Sequence, residues 1–184
     1  MIVDLYHFFN EYRKHFGKLD QSQVDGLLII LNEAKNHKLT VAQLGYILAS
    51  AKHESANTFQ PIKERRASIL QRKLRKTQNR YWPSGYYGRG IIQLTWLKNY
   101  KIFSDLLDVD LVKNPDAALD TDVSVKIAFI GMLRGLFTGF SLPTFINPVI
   151  INRIAARRVV NGLDKAHEIA EIATKFDACI KEIN

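Results

Sequence analysis

Two glutamates ten residues apart, Glu54 and Glu64, are the residues of this chain best suited to acid–base chemistry. Glu54 closes an apolar run and opens a stretch broken by Asn57, Pro61, Pro83, Gly85, Gly88 and Gly90. A carboxyl at such a junction can be half-buried, and burial raises its pKa because the charged form loses solvation. A raised pKa lets an acid keep its proton near neutral pH. The alternative is a solvated helix end. Glu64 stands beside Arg65 and Arg66. It either pairs with them or faces Glu54 across the irregular stretch. In the second case the two carboxyls match the acid and base that cleave a glycosidic bond with inversion, about 6.5–9.5 Å apart.

The segment Tyr86-Tyr87-Gly88-Arg89-Gly90-Ile91-Ile92-Gln93-Leu94-Thr95-Trp96-Leu97-Lys98-Asn99-Tyr100 adds groups that suit a sugar. Glycines on both sides of Arg89 let backbone come close to backbone or ligand. Gln93, Thr95 and Asn99 alternate with apolar residues, and their side chains both donate and accept hydrogen bonds. Aromatic faces pack on the apolar faces of sugar rings. The alternative is that Trp96 and Tyr100 are core, and for Trp96 that is the preferred reading.

Helices must position these groups. The spacing predicts a helix over 21–36, with Val24, Leu27, Leu28, Leu31 and Ala34 on one face and Asp20 as its N-cap. A second starts at Thr40, buries Val41, Leu44, Leu48 and Ala51, and runs into His53 and Glu54. A third begins near 120 and stops before Gly139, through Val123, Ile127, Ile130 and Leu133. A fourth covers about 164–182, and a short one near 150–159 precedes the turn Asn161-Gly162. Between 55 and 92 the helical period fails, and short extended runs or a small hairpin fit better than a helix. The segment 139–145 reads as a loop with exposed aromatics that covers one end of a groove. The expected fold class is mainly α, a helical core with a small irregular or β-hairpin insert beside a cleft. It forms one domain over residues 1–184, the length favouring a single core.

In this order, His53-Glu54-Ser55, Pro61-Ile62-Lys63-Glu64, the segment 86–100, Asn114-Pro115 and Arg157-Arg158-Val159-Val160-Asn161-Gly162 resemble the motifs of glycoside hydrolase family 19. That family is the chitinase-like branch of the lysozyme superfamily. Within it the chain is most similar to small single-domain phage endolysins of Gram-negative hosts. The resemblance covers nearly the whole chain and is most specific in Tyr87–Tyr100. It implies a lysozyme-like α+β fold without a separate wall-binding module. It also implies cleavage of β-1,4 bonds in bacterial peptidoglycan, as an N-acetylmuramidase-type endolysin. Glu54 is then the general acid and Glu64 the base acting on water. Gln93, Thr95 and Asn99 line the sugar groove, with Asn161 on its far side. Tyr87 and Arg89 shape the floor or brace the carboxylates, and His53 orients Glu54 or packs beneath it. The chain departs from plant chitinases in the shorter spacing of its glutamates, in having no disulfide and in lacking insertion loops. These departures favour peptidoglycan over crystalline chitin. The alternatives are a chitinase, a lytic transglycosylase and a non-enzymatic wall or nucleic-acid binder.

The rest of the sequence narrows the setting. The net charge of the 184-residue chain is +8, which favours polyanionic partners. Much of that charge lies between Lys63 and Arg80, where Glu64 is the single acid. This patch is expected to meet lipopolysaccharide or another anionic envelope polymer, in a salt-sensitive way, and no nucleic-acid motif surrounds it. The five histidines have no metal-ligand spacing, so neither metal nor cofactor is expected. The single cysteine, Cys179, sits in a helical apolar pattern and is expected to be a buried thiol. The N-terminal residues lack a signal-peptide pattern. The expectation is a monomer made in a bacterial host's cytoplasm, acting on the wall in the periplasm after release by another factor. The C-terminal helix is not strongly basic, and core packing is its default role.

Overall fold

Side-chain caps start several helices of the computed structural model, which describes residues 1–183. Asp4 accepts from the His7 N–H at the head of α1 (Leu5–Phe16). Asp20 and Gln23 form a capping box on α2 (Gln21–Glu33), which ends in a 3-10 turn, Ala34–Asn36. Thr40 and Gln43 do the same for α3 (Val41–Glu54). Each cap satisfies N–H groups that a helix start leaves without partners. A hairpin follows, in which β1 (Ile62–Lys63) pairs antiparallel with β2 (Arg89–Gly90), Ile62 opposite Gly90 and Lys63 opposite Arg89. Its long connection holds α4 (Arg72–Gln78). Next come α5 (Leu97–Leu107), α6 (Thr121–Arg134), α7 (Leu142–Phe145), α8 (Arg153–Ala156) and α9 (Ala166–Cys179).

The predicted helices at 21–36, from Thr40, from about 120 and over 164–182 correspond to α2, α3, α6 and α9, with ends shifted by a few residues. The short one near 150–159 is α8 and a 3-10 turn. The region 55–92 holds the expected small hairpin and, contrary to expectation, α4 as well. That helix lacks a side-chain N-cap and buries Gln78 alone, so it carries no apolar stripe to read. Segment 139–145 is not wholly a loop: Pro143 sits in the first turn of α7, and Leu142 is buried while Phe140 is exposed.

Residues Ala42–Ala51 are buried on every face of α3, as expected of a helix inside the core rather than on its surface. α9 packs along α3, α1 lies against α9, and α2 lies against α6. Phe8, Tyr12, Phe59 and Phe176 interlock between these helices, with ring centroids 5.9–6.5 Å apart. A second cluster, Leu94, Tyr100, Phe103, Leu111, Ala118 and Ile127, lies beneath α5. Phe137 touches both clusters. Cys179 is buried, and burial pushes its thiol up to about 12, so it is an inert packing group.

The chain turns sharply after Glu54, with Ala56, Asn57 and Phe59 at positive φ. The start of α2 clamps this turn. Gln23 donates to the Asn57 carbonyl and Gln60 to that of Ser22. A Cβ on Gly26 would lie 2.3 Å from the Phe59 carbonyl oxygen, a backbone atom that cannot swing away. Gly26→Ala is therefore expected to cost about 1–3 kcal/mol, read as a lower urea midpoint. An unchanged midpoint would mean that the turn after Glu54 is not held by α2.

Candidate active site

Glu54 and Glu64 line one cleft of about 520 Å³. Leu74, Thr77 and Tyr81 border it on the α4 side. Ile92, Gln93, Thr95, Trp96 and Asn99 come from the hairpin's end and the start of α5, and Phe137, Val160 and Asn161 complete the lining. Six residues picked out by sequence, Glu54, Glu64, Gln93, Thr95, Asn99 and Asn161, thus share a wall of the same cavity.

Glu54 ends α3 with its side chain 17% exposed. Its Oε1 accepts from Arg157 Nη1 at 2.6 Å, and Arg157 is only 3% exposed. Arg157 Nε donates in turn to the Asp164 carbonyl at 3.0 Å. A buried guanidinium needs such partners, because an unpaired buried charge is costly. Oε2 has no protein partner among the described residues. Sequence reasoning quoted Arg157 in a motif and gave it no role. In the sequence Arg157 is one of an arginine pair, Arg157-Arg158, between Ile154-Ala155-Ala156 and Val159-Val160, and only the fold separates the two, burying Arg157 and exposing Arg158.

Glu64 follows β1 and is held by three donors. Gln78 Nε2 and the Tyr81 hydroxyl donate to Oε1 at 2.9 and 2.7 Å, and the Gly88 N–H donates to Oε2 at 2.8 Å. It does not pair with Arg65 or Arg66. Burial first, and then the bond to Glu64, pushes the Tyr81 hydroxyl above the ordinary phenol range, so it remains a donor. Gln78, the one buried residue of α4, also caps the Ala67 N–H and Arg65 carbonyl. The α4 arm is thereby fastened to Glu64.

The polar lining has its donors committed and its acceptors open. Gln93, at positive φ, gives Nε2 to the Ile62 and Gly90 carbonyls. Thr95 gives its hydroxyl to the Gln93 carbonyl, and Asn99 gives Nδ2 to the Thr95 carbonyl. That leaves Gln93 Oε1 and Asn99 Oδ1 to accept from ligand hydroxyl or amide groups. Asn161 is the complement: Oδ1 accepts from the Gly162 N–H, leaving its Nδ2 to donate. Gly88 keeps this set in register. A Cβ there would meet Gln93 Oε1 at 2.5 Å and Glu64 Oε2 at 3.2 Å. Gly88→Ala is expected to lower turnover by up to about 10²-fold through misplacement of both groups, with the unfolding midpoint nearly unchanged. Undiminished turnover would remove Gln93 and Glu64 from the working site.

Three sequence expectations are corrected. Trp96 is not core: it is 40% exposed, and its positive φ turns it into the cleft wall, where Arg80 lies over its ring. His53 neither orients Glu54 nor packs beneath it. Successive helical residues point in different directions, and its nearest carboxylate is Glu168, 4.0 Å away. Tyr87 and Arg89 lie outside the cleft lining and touch neither carboxylate. Arg89 is buried, paired with Asp116 at 2.6 Å, and donates to the Gly85 and Tyr87 carbonyls and the Tyr100 hydroxyl. Tyr87 is sandwiched between Trp82 and the Arg89 guanidinium. Together they fix the loop that presents the Gly88 N–H to Glu64. Tyr100, by contrast, is core.

Among the described residues no group of three or more His, Cys, Asp or Glu is placed to hold a metal, and no helix is long and apolar enough to cross a membrane.

No family model matches the chain. Its fold is that of chitinase C from Streptomyces griseus HUT6037, with a TM-score of 0.56, 19% identity, and coverage of 90% of this chain and 76% of that one. A point mutant of chitinase C gives the same TM-score at 23% identity, covering 94% and 77%. In sequence, 46 residues are 52% identical to an acidic endochitinase of Petunia hybrida, and the same holds for an acidic 27 kDa endochitinase of Solanum lycopersicum. Those stretches are 24% of this chain and only 18% and 19% of the two plant proteins, so the chain matches less than a fifth of either.

Proposed function

We propose that the chain is a glycoside hydrolase of the family-19 type that cleaves the β-1,4 backbone of bacterial peptidoglycan, as a muramidase-type endolysin does. The observation that carries this reading is the cleft itself. Two carboxyls held in different ways face one cavity lined by amide oxygens and an exposed indole. Glu54 protonates the leaving glycosidic oxygen through Oε2 as the C1–O bond breaks. Glu64 takes a proton from the water that attacks C1 from the opposite face. Three donors hold the Glu64 carboxylate in place and leave a lone pair of Oε2 to accept from the water. The expected outcome is inversion at the anomeric carbon.

Charge favours peptidoglycan over chitin. The cleft lining itself holds no acid besides the two glutamates, Arg80 lies over the ring of its Trp96, and Lys98 lines the adjoining pocket that shares Trp96 and Asn99. Peptidoglycan bears carboxylates on its lactyl ethers and stem peptides, whereas chitin bears none. The basic stretch Lys63–Arg80 would steer the protein toward lipopolysaccharide or other anionic envelope polymers. The 46-residue match to plant endochitinases favours a second reading, hydrolysis of chitin oligomers by the same two carboxyls. Turnover of purified peptidoglycan against soluble chitin oligomers separates the two. Faster release from peptidoglycan supports the first, and release from chitin alone replaces it with the second.

A further inference from the structure

The tip of the α4 arm has a chemistry that glycan cleavage does not use. Ile69 and Leu70 form the turn before α4 and are 75% and 91% exposed. Single exposed apolar residues are ordinary, but these two are adjacent. Arg65, Arg72, Lys73 and Lys76 surround them in sequence, all exposed and without an ion pair among the described residues. No acid occurs between Glu64 and Asp105, so the arm itself adds no negative charge that would repel an anionic surface. Arg66 and Arg75 are bonded inward, to Asn79 and to the Ala67 carbonyl, and brace the arm.

We infer that this tip docks on an anionic lipid bilayer, with Ile69 and Leu70 entering the headgroup–acyl boundary while the surrounding cations meet lipid phosphates. An apolar tip ringed by cations is complementary to a surface with an apolar interior and an anionic face. A soluble polyanion or nucleic acid would satisfy the cations and leave Leu70 in water. The same arm fastens Gln78 and Tyr81 to Glu64, so docking sets the cleft beside the lipid surface. The inference stands whether or not the cleft cleaves peptidoglycan, because its test does not read turnover.

Flotation of the full chain with phosphatidylethanolamine–phosphatidylglycerol vesicles, beside phosphatidylcholine vesicles, provides the test. Wild type is expected to float with the anionic vesicles and stay behind with the neutral ones. The pair Ile69→Ser and Leu70→Ser should weaken partition by about 10- to 100-fold. Lys73→Glu with Lys76→Glu should weaken it as well. Both apolar side chains are already in water, so the fold has little to lose. Equal flotation of the serine variant overturns the proposal and leaves charge steering alone. Wild type that fails to float, or floats equally with neutral vesicles, overturns it too. So does equal binding of a DNA duplex by wild type and the serine variant with no vesicle binding.

Discussion

Glu54→Gln is expected to slow peptidoglycan hydrolysis by about 10²–10⁴-fold, the usual contribution of a positioned general acid. Gln fills the same volume and can still accept from Arg157, but it cannot deliver a proton to the leaving oxygen. Its stability cost is separate and smaller. Arg157, 3% exposed, loses its anionic partner, which costs about 1–3 kcal/mol. A native state of ordinary stability, about 5–15 kcal/mol, stays populated after such a loss. Rates normalised to the folded fraction therefore report chemistry. Undiminished hydrolysis by this variant would assign the acid to another group.

Arg157→Met is expected to be the most damaging single change to the fold around the site. The substitution keeps the volume but leaves Glu54 and the Asp164 carbonyl without their donor. Removing one partner of a buried pair costs about 3–5 kcal/mol. The cost here falls toward the lower end, because Glu54 keeps some contact with water. Turnover should fall as well, since no other described residue bonds to Oε1. Arg157→Lys separates the two effects. A lysine restores the charge but lacks the guanidinium fork that reaches both partners. It should recover most of the urea midpoint and less of kcat. Full recovery of kcat would mean that Arg157 supplies charge alone and does not orient Glu54.

The helices read in advance share a regular apolar stripe, though α1, capped by Asp4 and burying Phe8 and Tyr12, was not among them. α2, α3 and α6 have a 3.6-residue apolar period and a capping Asp or Thr, and α9 has the stripe alone. α4 has neither, because its helix is tied down through Gln78 and not through an apolar face. α5 is preceded at its N-cap by Trp96, whose positive φ no propensity scale anticipates. The same residue lies in the cleft wall and not in the expected core. Glu54 was legible at the end of an apolar run, and Gln93, Thr95 and Asn99 as polar residues interleaved with apolar ones, whereas Glu64 stands in a basic run with Lys63, Arg65 and Arg66 and Asn161 was placed by the family resemblance alone. Arg157 was not, because its partner lies 103 residues away in sequence. Arg89 was noticed, but its role was not legible. Its contacts are backbone carbonyls, Tyr100 and Asp116, so it builds the loop behind Glu64 and stays out of the cleft.

Mass spectrometry of the fragments released from purified peptidoglycan tests the two-carboxyl account most directly. A hydrolase with Glu54 as acid and Glu64 as base must place the elements of water across each broken bond. The account predicts fragments ending in reducing N-acetylmuramic acid, formed by wild type and lost with Glu64→Gln. Anhydro-muramyl ends, or the same reducing ends at the same rate from Glu64→Gln, would contradict it.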